Sequence, residues 1–444
     1  MPMNRPSNIA GPARTTPAGM VPVIAIPEIY LPRAGTDLMR WAVIACDQHT
    51  SDAAYWEETA RFVGKAPSTL LLILPEYYLE HPDQISVSER IATINRTMCR
   101  YLEEGILATP GPGCMAICRS TPRHPVRKGL ILAIDLEAYD FTPGKHNLIR
   151  ATEGTVLERI PPRMAIRRDA VLELPHVQLL IDDPRFSVID PLLAGLQALY
   201  PEPLYRTGLM QQGGAVEGWF VPASSPLLAA ALTALANLDS LCREGLMMVV
   251  GDGNHSLATA KTHWEHIRDQ SEPDHPARFA LVEVVNLHDP GLEFEPIHRV
   301  VSGIDTPVFF AMLGKHFAGQ AGQILPADQA AGCDQACGLA IPILTREGRY
   351  LLRIDHPDRL PAVAAIQEFL DSLVRQTSAR IDYIHGEAAL ENLVRKGDIG
   401  LVLPVMDKSQ LFPGIVRDGL LPRKTFSMGD ANEKRYYFEC RKIR

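Results

Sequence analysis

Apolar residues along this chain fall into short blocks separated by turn-forming and charged residues. Residues 21–26 and 41–46 read as short buried strands, rich in Val, Ile and Ala. Tyr55, Trp56, Thr59, Ala60 and Val63 recur at helical spacing and stop at Gly64, which predicts a helix closed by glycine. Residues 70–74 form a strand-sized apolar run, and 86–104 have helical period. Strands are predicted at 115–118, 128–136 and 174–181, the first two split by a polar turn at 122–125. A single Ala/Leu helix is predicted over 226–241, then a buried strand at 246–250, a glycine turn and a further helix. Later, 279–287, 399–405 and 436–440 read as strands, and 307–317 and 361–376 as helices. The two element types are intermixed without clean alternation. The pattern predicts an α+β chain, a mixed sheet with helices, and not a barrel.

A chain of 444 residues exceeds the roughly 150 of one typical unit. No internal repeat is visible. Residues 1–20, dominated by Pro, Gly, Thr and Ala, are predicted to be a flexible tail, with 21–444 as the main body. A division into two lobes would fall near 270–300. The 444 residues carry 44 Lys and Arg against 52 Asp and Glu, a formal charge of −8. A polyanion-binding surface is therefore not expected, and no basic run suggests nucleic acid as a partner. No apolar run approaches the roughly 20 residues of a membrane span, and the first residues lack a secretory h-region. The 8 cysteines then read as a reduced, cytoplasmic set. Cys114/Cys118 and Cys333/Cys337 have no matching His pair nearby, so a structural zinc is not expected.

Two strand ends carry unusual polar density. In Met248-Val249-Val250-Gly251-Asp252-Gly253-Asn254-His255-Ser256-Leu257, a buried strand runs through a glycine turn into a helix whose apolar face continues through Ala260, Trp264 and Ile267. The free amides of a helix's first turn favour an anion such as phosphate, and Asn254, His255 and Ser256 add side-chain donors. The bland alternative is an ordinary junction capped by Asp252 or Asn254. The segment lacks the third glycine of the dinucleotide fingerprint, and the chain has no P-loop. The second strand end is Cys46-Asp47-Gln48-His49-Thr50. Asp47 can serve as a general base or cation ligand, and His49 can move a proton; alternatively the segment only caps the next helix through Thr50 or Ser51. Three clusters supply cationic candidates: Arg150 with Glu153, His298-Arg299, and Arg423-Lys424 with Ser427. Each reads either as a phosphate clamp or as a solvated charged turn.

The sequence resembles the family catalogued as domain of unknown function number 1015. The resemblance is carried by residues 40–48, by Ile149-Arg150-Ala151-Thr152-Glu153-Gly154 and by Pro175-His176 with Leu180-Ile181-Asp182-Asp183-Pro184. It continues in residues 251–260, Glu295-Pro296-Ile297-His298-Arg299, Met406-Asp407-Lys408-Ser409 and residues 422–429, and spans about Val21 to the C-terminus. Asp252-Gly253-Asn254-His255-Ser256 also resembles the Asp-Gly-His-His-Arg motif of the ParB/sulfiredoxin-like superfamily, which includes archaeal free-serine kinases. Asp252, Gly253 and His255 match by position, while Asn254 and Ser256 replace His and Arg.

That resemblance implies a ParB/sulfiredoxin-like phosphate-binding core with large additions. It implies a phosphotransferase acting on a small hydroxylated metabolite, with free L-serine the leading acceptor and pyrophosphate, ADP or ATP as donor. Asp252, Gly253, Asn254, His255 and Ser256 would hold the donor, while Arg150, Glu153, His298, Arg299, Arg423, Lys424 and Ser427 would line the site. Asp47, His49 and His255 would do the proton chemistry. Mg²⁺, through Asp47 or Asp252, would bridge the phosphates. The competing expectations are a phosphoester hydrolase with the same pocket and a nucleotide-binding module without catalysis.

Overall fold

The computed structural model describes residues 23–81, 83–326, 339–354 and 362–444. The expected tail at 1–20 and the pair Cys333/Cys337 lie outside them. The chain divides into two compact units, one comprising the chain to Leu292 with Ile415–Gly419 and Asp430–Arg444, the other Glu293–Gly414 with Leu420–Gly429.

The first unit is built on a mixed sheet of 10 strands among the described residues. From edge to edge the strands are Tyr205–Gly208, Ala215–Pro222, Gly113–Ser120, Arg127–Asp135, Phe279–Asn286, Gln178–Ile181, Met248–Asp252, Ile149–Arg150 and Tyr139–Asp140, with Ile24–Ala25 pairing the end of Arg127–Asp135. Phe279–Asn286 runs parallel to Gln178–Ile181, and Met248–Asp252 parallel to Ile149–Arg150. Central strands buried on both faces need no polar alternation. Leu179, Leu180, Ile181, Met248, Val249, Val250, Val282 and Val284 are accordingly almost wholly buried.

Helices of this unit begin where local hydrogen bonding permits. Asp52 caps Ala53–Val63 by accepting from the Tyr55 amide, where Thr50 or Ser51 was expected. Ser86 and Glu89 form a reciprocal capping box on Val87–Glu103, which buries Ile94, Met98 and Tyr101 at helical spacing. The apolar block at 41–46 is split: Leu38–Trp41 is a short helix capped by Asp37, and only Val43–Ile44 is strand. The run at 70–74 is a 3-10 turn, Thr69–Leu72, started by the Ser68 hydroxyl. The helix predicted over 226–241 breaks into Pro226–Ala236 and Asp239–Glu244. There the Asn237 amide turns back to the Thr233 carbonyl and ends the first helix.

The second unit has an antiparallel sheet in the order Gln323–Pro326, Arg349–Ile354, Leu339–Leu344, Ile399–Leu401, Phe294–Ser302, Arg380–His385, with Phe426–Met428 pairing the start of Phe294–Ser302. Its core joins Ile341, Ile343, Leu352 and Leu401 to Phe309 and Phe317 from helix Thr306–Phe317 and Phe369 from helix Ala362–Gln376. Both units mix strands with helices, so the chain is α+β. Among the described residues no helix is long and apolar enough to cross a membrane.

Candidate functional site

The site begins at the turn after Met248–Asp252. Gly253 stands at φ +84°, outside the comfortable range of L-residues, and serves as the N-cap of helix Asn254–Ile267. The side chains of Asp252 and Asn254, expected as caps, do not cap this helix. A Cβ at position 253 would meet the Val177 Cα at 3.0 Å and the His176 Cδ2 at 3.4 Å. The glycine therefore lets the start of the helix sit directly on the segment leading into Gln178–Ile181. That approach brings the Ser256 Oγ to 2.6 Å from the His176 Nε2.

His176 is the centre of the cluster. Its Nδ1 lies 2.6 Å from the Tyr437 hydroxyl. Tyr437 arrives on the short strand Tyr436–Tyr437, paired to Val43–Ile44, so the end of the chain and the Cys46 strand end meet here. The Tyr437 oxygen accepts from the Cys46 amide and lies 3.2 Å from the Cys46 Sγ. Burial, reinforced by Cys46 and Asp47, pushes the Tyr437 pKa far up, so it stays a phenol. Burial likewise keeps Cys46 a thiol. The Tyr437 hydroxyl thus lies between the His176 ring and the Cys46 sulfur. The Nε2 edge of the ring faces Ser256 and, at 3.7 Å, the Asp47 carboxylate.

Burial alone would raise the pKa of Asp47. The adjacent His176, the donating Gln48 amide and the cations Lys434 and Arg163 more than offset it and hold the carboxyl below its usual range. Asp47 is therefore an ionised, half-buried carboxylate ready to accept a proton or a cation. Asp252 has both oxygens engaged, one by the Gly253 amide at 3.0 Å and one by the Lys434 ammonium at 3.4 Å. Asn254 donates to the Thr152 hydroxyl at 3.3 Å, while its buried Oδ1 has no hydrogen-bond partner among the described residues. The His255 Nε2 accepts from the Val156 amide at 3.1 Å, which places a neutral ring's proton on Nδ1.

The structure thus joins Asp47, Asp252, Asn254 and Ser256 through His176, Lys434 and neighbouring backbone. His49 is oriented otherwise. It stacks on Tyr55 with centroids 3.7 Å apart, and its Nε2 lies 3.3 Å from the Asn432 Oδ1. The histidine beside Asp47 is His176, not the expected His49. Arg150 donates to the Asn147 carbonyl, with Glu244 as its charged neighbour, and Glu153 lies in the half-buried segment that follows. His298, Arg299, Arg423, Lys424 and Ser427 belong to the second unit. There the buried Arg299 donates to Gln367 and to the carbonyls of Ile297, Arg423 and Lys424. His298 accepts from the Leu403 amide, and the Ser427 hydroxyl donates to the Gly429 carbonyl. Arg299 thus spends its guanidinium on holding that unit's own loop.

Sequence reasoning missed Tyr437, Lys434, Glu76 and Arg163 and did not select His176 as a site residue. His176 was legible only as part of the Pro175-His176 block, and Lys434 and Tyr437 as the basic-aromatic stretch Lys434-Arg435-Tyr436-Tyr437. The Glu76 amide donates to the Cys46 carbonyl, and its carboxylate pairs with Arg163. Burial raises the Glu76 pKa, Arg163 opposes this, and the nearby Asp47 charge adds to it. Behind His176 and Ser256 lies a cavity of about 150 Å³ that also touches Cys46, Tyr437, Glu76 and Arg163. Among the described residues no group of three or more His, Cys, Asp or Glu side chains is arranged to hold a metal. For Mg²⁺, which takes one or two carboxylates plus substrate phosphates, Asp47 has the ionised oxygens to serve, whereas Asp252 is already paired with Lys434.

A family model described as protein of unknown function (DUF1015) matches residues 29–373. No curated protein matches the chain. Among solved structures, the chain is similar to a conserved hypothetical protein from Pyrococcus furiosus, at 8% identity over 69% of this chain and 93% of that one, with a TM-score of 0.36. It is also similar to a free serine kinase in complex with AMP, at 8% identity over 70% and 92%, TM-score 0.39. A third is SbnI with a C-terminal truncation from Staphylococcus aureus, at 8% identity over 67% and 82%, TM-score 0.36.

Proposed function

The chain belongs to the DUF1015 family, and on that premise we propose that its polar cluster is a phosphoryl-transfer site. The acceptor is a small hydroxylated metabolite, with L-serine the first to test, and the donor is pyrophosphate or a nucleotide. One observation carries the reading. Two strand ends far apart in sequence meet at His176, whose Nε2 stands 2.6 Å from Ser256, in the first helical turn, and 3.7 Å from ionised Asp47. A phosphate seated on the first-turn amides of Asn254–Ile267 gains from the helix dipole and from the Ser256 hydroxyl.

In this reading the acceptor oxygen attacks phosphorus as the bond to the donor's leaving oxygen breaks. The acceptor proton passes to Asp47. His176, oriented by Tyr437, stabilises the carboxylate and takes the assisting place expected of His49. Lys434 neutralises charge that moves during transfer. Arg150 is retained as a donor-binding candidate, with Glu153 beside it. Mg²⁺, when bound with the phosphates, would supply further charge neutralisation, with Asp47 as its protein ligand.

The experiment is phosphorus NMR of the purified protein with Mg²⁺, L-serine and, separately, pyrophosphate, ADP and ATP. A phosphoserine resonance with any donor supports the reading and identifies that donor. Saturable nucleotide binding without product would replace it by a non-catalytic binding module.

The Ser256–His176 contact also suits a second reading, phosphoester hydrolysis, because a hydroxyl beside an imidazole is the geometry of an activated nucleophile. Ser256→Ala separates the two. A hydrolase using Ser256 as nucleophile loses on the order of 10³-fold or more in phosphate release. A transferase that uses Ser256 only as a phosphate ligand loses about tenfold, the usual scale of one hydrogen bond to a charged group.

A further inference from the structure

The cavity behind the site differs in character from its polar rim. His176 and Ser256 face it from one side, and Leu72, Leu74, Met98 and Ile166 are among its walls. Leu72, Leu74 and Met98 are themselves buried, so these walls belong to the fixed core. The carboxylates that reach the cavity are already paired, Glu76 with Arg163 and Glu173 with Arg167 and Arg441. Tyr437 and Cys46 meet it in their uncharged forms.

A ligand here therefore finds apolar walls, paired carboxylates and the mutually hydrogen-bonded Ser256–His176 edge; among the described residues the buried Arg167 Nε has no hydrogen-bond partner. Free serine fits this poorly. Its ammonium would be desolvated against leucine, isoleucine and methionine, and both carboxylates that reach the cavity are already paired. A cavity of about 150 Å³ with apolar walls is large enough for a benzene-sized body.

We propose that this cavity binds the acceptor, and that the acceptor is an uncharged or singly polar alcohol whose hydroxyl meets Ser256 and His176 while an apolar body of about six carbons fills the space between Leu74, Met98 and Ile166. The assignment rests on the phosphotransferase reading for what the ligand is for, and on the cavity alone for whether it binds.

Calorimetric titration of the full chain with ethanol, 1-butanol, 1-hexanol, benzyl alcohol and L-serine tests it. Affinity rises about fourfold for each added CH₂ up to hexanol, the factor expected from burying one methylene. Benzyl alcohol then binds more tightly than L-serine. Ile166→Trp, which fills the cavity from a residue outside the reacting cluster, abolishes the chain-length dependence and leaves pyrophosphate binding unchanged. Absence of any chain-length dependence in the wild type overturns the assignment. So does a dependence that survives Ile166→Trp, or L-serine binding more tightly than hexanol. Phosphorus NMR with the tightest-binding alcohol keeps the two readings apart. Binding without phosphorylation by any donor refutes the phosphotransferase reading and leaves the pocket standing. Serine phosphorylation without alcohol binding does the reverse.

Discussion

The Ser256 Oγ lies 2.6 Å from the His176 Nε2, and the opposite ring nitrogen is held 2.6 Å from the Tyr437 hydroxyl. The imidazole is thereby fixed in one plane between a helix start and the C-terminal strand. Its Nε2 edge is shared between Ser256 and Asp47, and this sharing sets it apart from the other histidines near the strand ends.

His176→Asn keeps a polar side chain of similar size but removes the second ring nitrogen. It is expected to lower the phosphoryl-transfer rate by about 10²–10⁴-fold, the range of a lost proton-transfer partner. His49→Asn is expected to cost less than about tenfold, because its ring serves Tyr55 and Asn432 instead. Steady-state rates of the two variants, with melting temperatures as a control for folding, check the ranking. Equal losses would return His49 to the centre of the mechanism.

Gly253→Ala asks an L-residue to adopt φ +84° with its Cβ at 3.0 Å from the Val177 backbone. The left-handed conformation alone costs about 1–2 kcal/mol. Relief requires the helix start to move away from His176. The variant is expected to show both a lower urea midpoint and weaker pyrophosphate binding by titration. Lower stability with unchanged anion affinity would mean that the turn does not position the anion site.

Arg435 is buried, pairs with Glu283 at 3.0 Å and with Glu439, and donates to the Pro175 carbonyl at 2.8 Å. It thus anchors the residue before His176. Arg435→Met leaves two buried carboxylates without their shared cation and is expected to destabilise the chain by about 3–5 kcal/mol. Arg435→Met combined with Glu283→Gln should recover part of that loss. Urea denaturation of single and double variants measures it, and additive losses would show that the pair is not coupled.

His263 is buried on helix Asn254–Ile267, and its pKa is pushed down to about 4 by burial, with Arg167, His266 and His275 adding to the effect. The folded state therefore prefers the neutral ring. Its contribution is complete above the ordinary value of 6.5 and is lost as pH falls from there toward 4. At about 1.4 kcal/mol per pKa unit, the loss reaches about 3 kcal/mol. His263→Gln should flatten the pH dependence of stability between those limits while leaving the slope contributed by His275. Melting curves at half-unit pH steps give the comparison, and parallel curves for variant and wild type would remove His263 as the cause.

Much of the local structure was legible in the sequence. The capping box of Ser86 and Glu89, the glycine stop at Gly64 and the strand–glycine–helix junction at Gly253 depend on neighbours a few residues apart. Misreadings arose where one apolar block served two elements, as at Trp41 beside Val43, or where a side chain cut a helix, as at Asn237. Strands Ala215–Pro222 and Phe294–Ser302 were not anticipated. Gly218 interrupts the first and Pro296 the second, and only pairing to a neighbouring strand overrides those local breaks.

The sequence by itself determined the intermixed strands and helices, the tight turn at Gly253 and the two polar strand ends, because each follows from short-range periodicity, backbone freedom and side-chain chemistry. Only the tertiary structure decided which groups meet. The Ser256–His176 contact spans 80 residues and the His176–Tyr437 contact 261. Such pairs are set by the order of strands in a mixed sheet and by the return of the C-terminal segment to Val43–Ile44. Those long-range pairings fix which histidine faces Ser256 and Asp47, which carboxylate stays ionised and which wall of the cavity is apolar. No local pattern in the chain encodes them.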